Sequence, residues 1–172
     1  MRPAIYNFDA MPYESVMLGF YAMWKGPEND LCGKLGIQKR NEIGMGYSRD
    51  GFHFYRPSYE PVMGVNETEG AWNWGNMQSI IGVPLIVGDS LYLYSSGRMK
   101  NKVMWDGFTS TGLATLRRDG FVSMHTDTEG VLVTEKIKFD GNHFFVNAQA
   151  KDLQVEIMDE NGNVITGFSR ED

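Results

Sequence analysis

With 172 residues, 42% of them hydrophobic and 13% aromatic, the chain carries enough apolar material to bury a core in one or two small domains. Its net charge of -6 and the lack of any basic cluster argue against nucleic acid or an anionic membrane surface as a partner. One cysteine, Cys32, excludes an intrachain disulfide and a thiolate metal cluster, and no run approaches the length of a transmembrane helix.

In chain order, residues 4 to 13 read as a strand, with a turn at Glu14-Ser15 and a strongly apolar second strand from Val16 to Trp24. Lys25 to Arg40 carries Gly26, Pro27, Gly33 and Gly36, and is expected as a loop too broken for a helix. Glu42 to Ser48 is a third strand, Asp50-Gly51 a turn, and Phe52 to Arg56 a fourth strand before Pro57 and Pro61 end the unit.

The plan then recurs. Asn66 to Gly75 is a loop; Asn76 to Val87 is a strand interrupted by Gly82 and Pro84; Leu91 to Ser96 is the next strand. Arg98 to Ser110 is a second long loop, Thr111 to Arg117 a third strand, Asp119-Gly120 a turn, and Phe121 to Met124 a fourth strand. Arg-Asp-Gly-Phe therefore appears twice, at 49–52 and 118–121, within units offset by about seventy residues. Four strands per unit, repeated and without a convincing helix, are the pattern of propeller blades. Beyond the polar stretch His125 to Gly130, three strands are expected at Gly130–Phe139, Asn142–Ala148 and Leu153–Met158, with turns at Asp140-Gly141 and Glu160 to Asn163. They read as the opening of a β-sandwich that stops before it closes.

Several of these residues carry a resemblance. Tyr13-Glu14-Ser15, Leu18-Gly19-Phe20, Gly26-Pro27-Glu28, Gly46 to Phe52 and Arg56-Pro57 resemble one blade of the five-bladed propellers of glycoside hydrolase family 32 and its relatives in families 43 and 68. Trp72 to Asn76, Gly88 to Tyr92, Tyr94 to Arg98, Thr111 to Ala114 and Arg117 to Phe121 resemble the next blade. The resemblance is strongest to bacterial family-32-like proteins in which a β-sandwich follows the propeller. It implies an all-β chain: two four-stranded blades of a five-bladed propeller, at about 4–58 and 72–125, within residues 1–125, and residues 126–172 as a truncated β-sandwich. It also implies that the chain is the C-terminal part of a larger glycosidase-like protein, with open blade edges that favour self-association.

Glycoside hydrolysis needs two facing carboxylates. The family's Trp-x-Asn-Asp-Pro, Arg-Asp-Pro and Glu-Cys motifs are all absent, and Arg49-Asp50-Gly51 and Arg118-Asp119-Gly120 are turns. The candidate carboxylates are Asp9, on the expected innermost strand, and Glu14, beside Pro12-Tyr13, each balanced by a turn or solvated role. Candidate carbohydrate contacts are Tyr6, the amides Asn73, Asn76 and Gln78, the indoles Trp72 and Trp74, and the guanidinium of Arg98. Amides suit vicinal hydroxyls, aromatic rings suit a sugar face, and arginine suits the carboxylate of a sugar acid. Packing by the tryptophans and a surface ion pair for Arg98 are the competing roles.

Other chemistries find no support. His53, His125 and His143 lack metal-ligand spacing, Gly44-Met45-Gly46 precedes a hairpin rather than a helix, and no cofactor is expected. The first residues lack the apolar core and cleavage site of a signal peptide, which leaves the compartment open. The expected function is that of a glycoside hydrolase-like protein supplying part of a sugar-binding rim. The alternatives are a non-catalytic carbohydrate-binding or interaction module, or an inactive fragment.

Overall fold

The computed structural model describes residues 2–68, 70–80, 82–99 and 109–171. Two antiparallel sheets make the chain predominantly β, and it divides into two compact units, Met1–Val122 and Ser123–Asp172.

The first sheet has the order β1-β2-β3, from strands Ala4–Tyr13, Val16–Gly26 and Arg40–Ser48. Tyr13 pairs with Val16, so Glu14 and Ser15 form a two-residue hairpin turn, and Glu14 takes a positive φ of 50°. Leu18 to Ala22 in central β2 are all buried, because both faces of that strand are covered. On one face Leu18, Phe20 and Ala22 lie opposite Tyr47, Met45 and Ile43 and meet the second sheet. On the other face the Phe8 ring lies over Gly19 and the Tyr21 ring over Gly44, and Phe54 packs edge-on to Phe8. A Cβ at either glycine would overlap a ring.

In the second sheet Ser90–Arg98 (β6) is central. Thr109–Arg117 (β7) pairs along one side of it, while Asn76–Ile80 (β4) and Leu85–Val87 (β5) follow each other along the other. Together β4 and β5 are the interrupted strand anticipated around Gly82 and Pro84. One core joins the sheets: Met11, Leu18, Phe20, Ala22, Ile43 and Met45 pack with Met77, Ile80, Leu91 and Leu93. Full burial of such a side chain contributes about 1.5–3 kcal/mol.

Four expectations need correction. The loop over 25–40 contains a seven-residue helix, α1, at Asn29–Leu35. Asp30 in its first turn and Lys34 in its last suit the helix dipole, and Gly36 ends it in the left-handed conformation at φ 63°. The glycine taken as a breaker is the stop signal. The fourth strand at 52–56 reduces to one bridge, Tyr47 to Tyr55. Asp50 Oδ1 accepts the Phe52 and His53 N–H groups that a ladder would use, and Pro57 has none to give.

The fourth strand at 121–124 is absent. The chain turns through Phe121, whose ring meets Tyr13 edge-on at 5.0 Å. In Ser123–Asp172 the strands expected at 130–139, 142–148 and 153–158 are not formed, and the one bridge described joins Met158 to Val164. Val131, Leu132, Val133 and Phe145 are exposed, Phe145 at 88%. Alternating apolar residues make a strand only where a partner supplies hydrogen bonds and cover, and an isolated two-stranded ribbon is marginal in water. The turn at Asp159 to Asn163 does form, with Asp159 Oδ1 accepting both the Asn161 and Asn163 N–H groups.

Candidate functional site

Four elements of the first unit bring a polar cluster together. Tyr6 lies on β1, where the register with β2 slips between Ile5 and Asn7, and its ring is half exposed. Lys39 immediately precedes β3; its Nζ donates to the Tyr6 hydroxyl at 3.4 Å and lies 4.4 Å from the ring centroid. Asn76 opens β4 directly opposite Arg98, the last residue of β6. The Asn76 side chain donates Nδ2–H to the Lys39 carbonyl at 2.9 Å, which locks the start of β4 against the approach to β3. Gln78 follows two residues later, close enough to the Tyr6 hydroxyl to influence its ionisation.

The Lys39 ammonium, by its hydrogen bond and then its charge, holds the Tyr6 phenol below its ordinary value. The Gln78 amide and the Arg98 charge act the same way, against a contrary effect of burial. Among the described residues Asn76 Oδ1 and Gln78 Oε1 have no hydrogen-bond partner, and Asn76 is fully buried. Asn41, one residue into β3, is also fully buried, with neither side-chain Oδ1 nor Nδ2 partnered among the described residues. Buried amides are ordinarily satisfied, so these atoms are exceptions that call for a polar partner. The cluster offers an aromatic ring, amide oxygens and two cations.

The remaining candidates lie elsewhere. Asp9, exposed on β1, accepts a hydrogen bond from Asn7 at 2.8 Å. Glu14 accepts from Arg118 at 3.2 Å at the far end of the hairpin. Tyr13 lies four strand steps from Asp9, about 13 Å of backbone, whereas glycosidase carboxyls stand roughly 5–9.5 Å apart. The structure does not bring Asp9 and Glu14 together as a catalytic pair. Beside them, Tyr13 donates to Asp119 Oδ1 at 2.6 Å, tying the first hairpin to the second Asp-Gly turn.

Trp72 lies across Gly97 and Gly112, where its ring occupies the space of a side chain, so packing accounts for it. Asn73 donates to the Gly64 carbonyl at 3.2 Å, and Trp74 is half-buried in the turn that begins at Ala71. Trp72 and Asn73 border a cleft of ≈ 190 Å³ with Met63, Met77 and Leu113. Of the sequence candidates, Tyr6, Asn76, Gln78 and Arg98 converge; Trp72, Asn73 and Trp74 form a separate group.

Lys39 was missed. Its signal was the polar run Gln38-Lys39-Arg40-Asn41 entering a buried strand, an unusual opening for a core element.

A second cleft, of ≈ 300 Å³, is lined by Tyr47, Arg49, Asp50, His53 and Tyr55. The His53 backbone N–H, the His53 ring and the Phe52 N–H hold the Asp50 carboxyl far below the usual carboxylate range. Asp50 is a turn anchor. No group of three or more potential metal ligands occurs among the described residues. No protein-family model matches the chain, and no curated protein or solved structure is similar to it.

Proposed function

We propose that this chain binds carbohydrate through Tyr6, Lys39, Asn76, Gln78 and Arg98, as the non-catalytic sugar-holding part of a glycoside-hydrolase-like propeller. The observation that carries the reading is the pair of amide oxygens, Asn76 Oδ1 and Gln78 Oε1, that are unpartnered among the described residues, beside the half-exposed Tyr6 ring. Sugars present hydroxyl donors around a ring face, and such a surface satisfies both at once. The repeated Arg-Asp-Gly-Phe turns and the two sheets sharing one core support the blade architecture. The separation of Asp9 from Glu14 favours binding over hydrolysis.

Calorimetric titration of the chain with neutral and acidic oligosaccharides tests the reading. Binding is expected to weaken about fivefold in Gln78→Ala, the worth of one net hydrogen bond, while Glu14→Gln binds as the parent does. Turnover on a broad glycoside panel is expected to be absent. Failure of every saccharide to bind overturns the proposal.

A further inference from the structure

Among the described Lys and Arg side chains only Lys39, Arg40 and Arg98 are half-buried; the others are exposed. Lys25 and Arg40 pair with Glu42, Arg40 also with Glu67, Arg118 with Glu14, and Arg170 with Glu156; Arg56 lies over the rings of Tyr21 and Tyr59. Of the three half-buried cations Arg40 is ion-paired, whereas Lys39, which meets the Tyr6 hydroxyl and ring, and Arg98 are not. Neither has a carboxylate within ion-pair distance among the described residues, although the chain carries 22 acidic side chains against 16 Lys and Arg.

The two belong to one cluster, since Asn76 stands opposite Arg98 and its side chain holds the Lys39 carbonyl. Both are half-buried, so part of their hydration is already lost without an ion pair in exchange. Between them lies the fully buried Asn76, whose Oδ1 has no partner among the described residues. Two uncompensated cations beside an unsatisfied amide suit a ligand that brings negative charge and hydroxyl donors together. Arginine presents a planar fork that matches a carboxylate, and lysine adds a point charge.

We propose that the saccharide taken by this cluster is a uronic-acid sugar, its carboxylate held by Arg98 and Lys39 and its hydroxyls by Asn76 and Gln78. This rests on the carbohydrate reading and narrows it to one class of ligand. Neutral sugars would leave both cations unanswered.

The test uses the full chain and three trisaccharides of one linkage: a hexuronate, its neutral counterpart with each carboxylate reduced to the alcohol, and a sulfated neutral form. Titration calorimetry is expected to show the uronate bound roughly tenfold or more tighter than the neutral form, the preference shrinking as salt rises. Arg98→Gln and Lys39→Gln are each expected to bring the ratio of uronate to neutral affinity toward one. The parent chain alone decides the matter if a variant fails to fold. A neutral form bound as tightly as the uronate overturns the acidic-sugar assignment and leaves the carbohydrate reading standing. A sulfated form bound as tightly overturns the carboxylate assignment alone. If none of the three binds, and neutral glycans of other linkages also fail, both proposals fall together.

Discussion

Glu42 is the one charged side chain in the buried set among the described residues, and its environment predicts how stability depends on pH. Burial alone pushes its carboxyl up, but hydrogen bonds from Lys25 and Arg40, with their charges, outweigh it and hold the group below its ordinary value. A carboxyl depressed in the folded state contributes stability fully above its unfolded pKa, near 4.5, and loses it as pH falls through the folded value. Glu42→Gln is therefore expected to cost about 1–3 kcal/mol at neutral pH, less than a fully enclosed pair, because Lys25 and Arg40 are 42% and 43% exposed and rehydrate. Urea melts of parent and variant should converge as pH falls below about 4.5 and through the lowered folded value; a constant gap would show that shape rather than charge was lost. Glu14 poses the opposite question. Its φ of 50° is unfavourable for a glutamate, and its ion pair with Arg118 is exposed and screened. Glu14→Asn, which tolerates that backbone, is expected to raise stability by roughly 0.5–1 kcal/mol; a loss in thermal melts would mean that the ion pair outweighs the strain.

Among the elements, glycines decide where rings and turns sit. Trp72 rests on Gly97 of β6 and Gly112 of β7, so Gly112→Ala forces the indole off a sheet that cannot recede. The expected cost is about 1–3 kcal/mol, with a shift in tryptophan emission toward that of a more exposed ring. An unchanged spectrum and melt would show that Trp72 has room to move. Strand β2 was legible because a continuous apolar run is read directly from sequence, whereas β7, whose alternation appears only in its burial, was legible from the Asp119-Gly120 turn that follows it. Helix α1 was not, since two turns with one buried residue, Cys32, show no period. The fourth strands were overcalled because apolar content does not reveal that the Asp50 carboxylate has taken the neighbouring N–H groups. In the candidate site, Asn76, Gln78 and Arg98 stood out as polar residues at strand ends. Lys39 reaches Tyr6 across 33 positions of sequence, a contact only the folded sheets create.

For the whole molecule, the decisive fact is that the core closes within the first unit. Every buried hydrophobic residue and every partly buried one packed against that core falls between Met11 and Phe121. The described residues of Ser123–Asp172 are almost all exposed, including Val131, Phe139 and Phe144. Unfolding that segment uncovers little further apolar surface, and denaturant sensitivity scales with surface uncovered. A chain ending at Val122 is thus expected to unfold in one cooperative step, with a urea m-value matching that of the full chain and a melting temperature within about 2 °C of it. It should also keep whatever saccharide the full chain binds, because Tyr6, Lys39, Asn76, Gln78 and Arg98 all lie before the cut. A fall of more than about 5 °C, or a lower m-value, would show that residues 123–172 fold with the sheets as one cooperative unit. The exposed Val131, Leu132 and Val133 would then be the first place to look for the surface they cover.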